Sequence, residues 1–270
     1  MNDYYRPTHE SLEEFAERCR NSDKTCYIIP DDPDSRIDAS GLDLAHVNLK
    51  GADLNKANFS RANLIEANLS GAFLGMVYLS VANLSGVDLS GANLIGADIN
   101  NANLSEANIS GANLTKANLK RADLSGANLS KANLFGANLV LANLTGANLE
   151  GANLAGVTLG LADLSRANLT GATLAGVDFC GADITGTNLS KANLTGATLE
   201  EANLSGANLE GANLNKANLS RANLSRANIS RTNLTGVNIS GVEASDETIK
   251  YMLSRGAIMN QSSKEGKNNE

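Results

Sequence analysis

The residues best suited to chemistry are few and scattered. Two histidines, His9 and His46, stand far apart with no ligand spacing around them, so they describe no metal cluster. Cys19 and Cys26 lie seven apart with no second pair, and Cys180 stands alone. Three cysteines are too few for a disulfide framework, so the first two are read as residues of a terminal cap and Cys180 as a free thiol at an outward position. No G-x-S-x-G elbow, Walker A loop or G-x-G-x-x-G occurs. Carboxylates are plentiful, 29 Asp and Glu in all, but general acid–base work needs a cleft that keeps water away from them. The chain is therefore read as not an enzyme, with no catalytic, cofactor-binding or metal residues, no cofactor and no small-molecule substrate.

The elements that would position any site are unusual. The chain has 270 residues, no Trp, ten aromatics and 25 Gly, and its three prolines (Pro7, Pro30, Pro33) all precede residue 34. With 42% hydrophobic residues it can bury a core, but one built from small and aliphatic groups. A net charge of −7 argues against a nucleic-acid binder. No run of 18 consecutive apolar residues occurs and the start is polar, so neither a membrane span nor a signal peptide is expected, and the expected address is a reducing cytoplasm.

One rhythm dominates. From Leu44 to Ile239 every fifth residue is Leu, Ile or Phe, without exception in 40 positions. Two residues earlier stands a small residue, Ala in 31 of 38 cases from Ala52 to Val237; the residue between is Asn or Asp in 35 of 40. On an α-helix five residues advance about 500°, so the leucines would spiral over every face, and Asn, Gly, Ser and Thr are poor helix formers. In an extended chain, Ala and Leu point to one side and Asn to the other, leaving two residues for a corner. The last residue of each unit is Gly in 21 of 41 repeats from Gly41 to Gly241, as suits the positive φ of a type II turn. Four such units close a square of 20 residues with Ala and Leu inside.

Runs such as Ala112-Asn113-Leu114-Thr115-Lys116 and Ala127-Asn128-Leu129-Ser130-Lys131 resemble the pentapeptide repeat family, whose consensus is Ala-(Asp/Asn)-Leu-X-X. The resemblance covers about residues 37–242 and implies an all-β fold: a right-handed, quadrilateral parallel β-helix. It would have about ten coils and run about 50 Å at roughly 4.8 Å per coil. Asn stacked on Asn can form amide ladders, whereas Asp on Asp would repel. Of eight such Asp from Asp43 to Asp183, only Asp163 and Asp183 are 20 apart.

A parallel solenoid has open ends that need covering. Ser11-Leu12-Glu13-Glu14 reads as a capping box opening a short helix with Leu12, Phe15, Ala16 and Cys19 on one face. Ser245 caps a second helix carrying Ile249, Met252 and Leu253, closed by Gly256. The expected organisation is an N-terminal helical cap and linker over 1–36, the repeat β-helix over 37–242, a C-terminal helical cap over 243–259 and a disordered tail over 260–270.

Function must then lie on the surface. Large apolar residues at outward positions are Ile65, Phe73, Met76, Tyr78, Val81, Ile95, Phe135, Val140, Leu141 and Leu161. Folded at a period of 20, all but Ile65 fall on one face and its corners, where Phe73 and Tyr78 also replace Asn/Asp in consecutive repeats. These nine are the candidate surface for an unknown protein partner, the chain being a monomer or weak dimer. Lys56, Arg61, Lys116, Lys120, Arg121, Lys216 and Arg221 share that side with Asp98, Asp178, Glu200 and Glu201. The alternative is an inhibitor of a type II topoisomerase (DNA gyrase) that imitates duplex DNA, as some strongly acidic members of the family resembled do. Residues 37–242 hold 13 Lys and Arg against 15 Asp and Glu, too nearly neutral for that field. An ice- or water-ordering face is disfavoured by its mixed corners.

Overall fold

The computed structural model describes residues 4–5, 11–20, 26–27 and 36–259. His9, the three prolines, residues 28–35 and residues from 260 onward lie outside the described residues.

From Asp38↔Asn58 to Asn223↔Glu243 the middle residue of each side bridges in parallel to the residue 20 further on, and Asn238 does so once more to Ile258. The sides are only three residues long, so each makes its bonds to the coils above and below rather than to a long neighbour. The Leu129 N–H donates to Asn148 O at 2.7 Å, while the Asn128 N–H donates the other way to Ala107 O at 2.9 Å. The Ala127 N–H closes the preceding corner on Leu124 O at 3.0 Å. Twenty residues per coil and five per unit give four sides, and the register never slips because the repeat has no insertion.

The interior holds what the rhythm predicts. Every aliphatic from Leu44 to Ile239 is buried, as are the small residues two before them with the partial exception of Ala227. Two small positions are Thr187 and Thr232: the Thr187 hydroxyl donates to Leu164 O of the coil before (2.8 Å), and the Thr232 hydroxyl has Ile229 O at 2.7 Å and Leu209 O of the coil before at 3.1 Å as acceptors. A buried hydroxyl is tolerated there because it has an acceptor.

Corners show more than the sequence did. Twenty-one corner glycines have positive φ, and so do twenty other residues at the equivalent position, from His46 to Arg231. Glycine marks only half of the corners, but the ladder imposes the same turn on all of them. Each substitution of a side chain there costs about 1 kcal/mol or more, met by the stacked bonds on either side. Val81, β-branched at φ 61°, is the least comfortable.

At the N-terminal end, α1 (Leu12–Arg20) opens with the expected capping box. The Glu14 N–H donates to Ser11 Oγ at 3.1 Å, and the Ser11 N–H donates to Glu14 Oε2 at 3.0 Å. Phe15, Ala16 and Cys19 are buried and continuous with the core of the coils, with Leu12 half-buried beside them. Strand β1 (Tyr4–Tyr5) pairs in parallel with β2 (Cys26–Tyr27), and the Cys26 N–H reaches Asn48 O at 2.7 Å. Arg20 bridges Asp43 at 2.7 Å. One expectation is corrected here: Cys19 and Cys26 are joined in a disulfide. The end of α1 and the strand laid on the first coil bring them together, a proximity that a seven-residue spacing does not reveal.

At the other end Ser245 caps α2 (Asp246–Ser254), its Oγ accepting the Thr248 N–H at 3.2 Å. Met252 is fully buried and Ile249 half-buried, but Leu253 is exposed, so two of the three expected residues face inward. After the helix the chain returns to the last coil, where the Ile258 N–H donates to Val237 O at 2.7 Å and the Ile239 N–H to Ile258 O at 2.9 Å.

Candidate interaction surface

Most outward Asn residues are bonded twice. Each Oδ1 accepts the N–H two residues on, as Asn128 does from Ser130 at 3.1 Å, and many of the amides donate either to the residue 20 before, as Asn148 does to Asn128 Oδ1 at 3.3 Å, or to a Thr hydroxyl 18 before, as Asn188 does to Thr170 Oγ1 at 2.8 Å. The second bond is the expected ladder; the first is a local turn that the repeat alone did not announce. Asp can accept in both senses but cannot donate. Asn143 therefore sits well on Asp123 (3.0 Å), whereas Asp183 stacked on Asp163 offers it no proton.

Burial works to raise the Asp163 pKa, but the Ser165 hydroxyl and N–H and the Thr145 hydroxyl outweigh it and hold the carboxyl below its ordinary value. A depressed folded-state pKa contributes stability above the unfolded value near 4 that is lost as pH falls through the folded one. Asp183→Asn restores the missing donor and removes a like charge. It should stabilise the chain by about 0.5–1 kcal/mol at neutral pH, with the gain shrinking only as the pH falls through the depressed pKa of Asp163, below the ordinary carboxylate value. Denaturant midpoints of the two proteins followed from neutral pH down to about pH 2 check this; a gain that stays constant over that range would contradict it.

Eight of the nine candidate residues are exposed: Phe73, Met76, Tyr78, Val81, Ile95, Phe135, Leu141 and Leu161. Val140 is half-buried, as is Ile65 on the other side. The surface resolves into two groups. Phe73, Met76, Tyr78 and Val81 share one coil, and the Met76 N–H donates to Ile95 O of the next at 2.9 Å. Phe135, Val140, Leu141 and Leu161 form the second. Between them lie Lys116, Lys120 and Arg121; the Lys116 N–H donates to Phe135 O at 2.9 Å and the Arg121 N–H to Val140 O at 3.0 Å.

Phe73 cannot accept the N–H two residues on, as an Asn would. Asn55 of the coil before does so instead, its Oδ1 2.7 Å from the Gly75 nitrogen, and a Cβ at Gly75 would sit 2.7 Å from the same oxygen. The aromatic is thus accommodated by a compensating pair that sequence reasoning missed. Arg36 lies 6.0 Å from the centroid of the Tyr78 ring, and with Ile37, Asp38, Asn58 and Ser60 they line an open depression of about 490 Å³. Its openness to solvent makes it no reaction cavity.

Among the described residues no group of three His, Cys, Asp or Glu could hold a metal ion, and no helix is long and apolar enough to cross a membrane. His46 meets Glu66 at 3.4 Å on an exposed corner. Cys180 is exposed, and its thiol pKa is raised by partial desolvation and by Asp178, Glu200 and Glu201, with Arg221 opposing. Such a thiol is a weak nucleophile.

A family profile described as pentapeptide repeats matches in eight copies, over residues 43–75, 82–121, 122–160, 162–200 and 202–241. Among solved structures the chain is similar to HetL, a pentapeptide repeat protein involved in heterocyst differentiation regulation from the cyanobacterium Nostoc sp. strain PCC 7120. The two are 36% identical over 76% of this chain and 90% of that one, with a TM-score of 0.44. It is also similar to alr5209, a pentapeptide repeat protein from Nostoc PCC 7120 (32% identity, 36% of this chain, 84% of that one, TM-score 0.26). A more distant likeness is QnrB1, a plasmid-mediated fluoroquinolone resistance protein (17% identity, 84% and 100% coverage, TM-score 0.47). No curated protein matches the chain.

Proposed function

The chain belongs to the pentapeptide repeat family, whose members fold as right-handed quadrilateral β-helices, and from that premise we propose that it is a non-enzymatic scaffold that binds a protein partner through one side of its rod. The rod comprises about ten coils over 37–242, about 50 Å long at strand spacing. Helix α1 with strand β2 at one end and α2 with the segment to 259 at the other close the rod, denying the open ladder edges to other chains.

The observation that carries this reading is the clustering of the coils' exposed apolar residues, from Phe73 to Leu161, on two adjoining sides and their corners, on a surface otherwise made mostly of Ser, Thr, Asn, Gly and charges. Tyr78 and Phe135 are the aromatic anchors of the two groups, of the type that dominates binding energy at interfaces. Lys116, Lys120 and Arg121 between them favour a partner with acidic groups flanking apolar ones. A duplex-mimicking role is not proposed, because 13 basic residues nearly balance 15 acidic ones along 37–242.

Tyr78→Glu and Phe135→Glu, made singly in the full chain, should each weaken partner capture from the native host by about tenfold or more while leaving the thermal midpoint within a few degrees. Capture profiles unchanged in both variants would overturn the proposed surface.

A further inference from the structure

Two adjoining columns at one corner of the rod read Lys120, Val140, Gly160, Cys180, Glu200 and Arg121, Leu141, Leu161, Gly181, Glu201. The stacking is explicit in the backbone: N–H groups of Arg121, Leu141, Leu161 and Gly181 donate to the carbonyls of Val140, Gly160, Cys180 and Glu200 at 3.0 to 3.1 Å. A basic pair thus lies two coils before Leu161 and an acidic pair two coils after it, about 10 Å away in each direction.

We propose that this corner pairs with the same corner of a second copy of the chain, antiparallel, about a two-fold axis at Leu161. A two-fold axis lying across the rod in the interface sets each column opposite itself and reverses its direction. Leu161 then meets Leu161 of the second copy. Lys120 and Arg121 face the second copy's Glu200 and Glu201, and Leu141 faces its Gly181. The arrangement occurs twice by symmetry. A parallel pair would set Arg121 on Arg121 and Glu201 on Glu201, a juxtaposition of like charges that disfavours it.

Further observations support the pairing, which rests on reading this side as an interaction surface. Leu161, at 64% exposure, is the most exposed large apolar side chain among the described residues. It leans over Gly181, its Cδ2 2.9 Å from where a Cβ would stand, so that with Leu141 it forms one apolar strip. Both leucines also occupy the corner position at φ 56° and 61°, where glycine would be unstrained. The acidic end retains its charge: Arg221 bridges both Glu200 and Glu201, one guanidinium for two carboxylates, and Asp178 adds a third.

Val140→Cys tests the geometry directly. Within one chain residues 140 and 180 are two coils apart, about 10 Å, beyond the roughly 4.4–6.8 Å between Cα atoms that a disulfide spans. Across the antiparallel pair they face each other. Mild oxidation of full-length Val140→Cys should therefore give a covalent dimer on a non-reducing gel, and Val140→Cys/Cys180→Ser should not. The wild type, with its Cys180 residues two coils apart across the pair, should stay monomeric on the gel. Lys120→Glu/Arg121→Glu should cut the cross-linked yield by about tenfold, and adding Glu200→Lys/Glu201→Lys should restore it. No covalent dimer from Val140→Cys, wild-type cross-linking through Cys180, or failure of the charge swap would each overturn the pairing. If self-pairing fails while Tyr78→Glu still abolishes partner capture, the scaffold reading stands and only the second copy is excluded.

Discussion

Leu129→Ala is expected to destabilise the rod by about 2–5 kcal/mol, measured as a fall in the denaturant midpoint at constant slope. Leu129 is fully buried, and its backbone is held between coils by the 2.7 Å bond from its own N–H to Asn148 O. The side chain can be removed, but the ladder prevents the walls from collapsing into the space. That rigidity places the cost toward the upper part of the range, where cavities stay open. Because each coil touches only its neighbours, the lesion should also weaken the contact between the two halves of the rod. Amide exchange near residues 107–148 should accelerate more than exchange near 180–220. A variant as stable as the parent would mean that the leucine is not stacked between coils.

Ala127→Leu is expected to destabilise by about 3 kcal/mol, the upper end of the usual overpacking cost. In most cores a larger residue is accommodated by small shifts of backbone. Here the Ala127 carbonyl accepts the Asn148 N–H at 2.9 Å and the Asn128 N–H donates to Ala107 O at 2.9 Å, so the chain is tied above and below at the point of substitution. The small-residue sites admit Val, as at Val77 and Val157, and Thr, as at Thr187, but nothing longer from Ala52 to Val237. Thermal midpoints of Ala127→Val and Ala127→Leu give the comparison: a modest shift for the first and a drop of several degrees for the second. Equal shifts would contradict a narrow interior.

The coiled architecture was legible because the cause is local and repeated. A period of five cannot make a helical stripe, and an unbroken repeat leaves only one stacking register. The exposure of eight of the nine surface residues was legible for the same reason, since a period of 20 turns sequence positions into columns. What escaped depended on contacts between distant segments. The disulfide between Cys19 and Cys26 needs α1 and β2 to meet at the first coil. Arg36 beside Tyr78 joins the start of the array to a coil two turns later. Asn55 serving Gly75 shows a replaced ladder residue being compensated from the coil before. The twenty non-glycine corners at positive φ were hidden because residue type reports preference, whereas the ladder enforces conformation.

The surface reading, the columns and the proposed self-pairing all depend on residues 20 apart lying one above another. Scalar couplings transmitted through backbone hydrogen bonds in isotopically labelled protein measure this directly. Coupling is predicted from the Leu129 amide to the Asn148 carbonyl carbon and from the Asn128 amide to the Ala107 carbonyl carbon, matching bonds of 2.7 and 2.9 Å. Couplings from these amides to carbonyls three or four residues earlier, or to partners at any other separation, would contradict it.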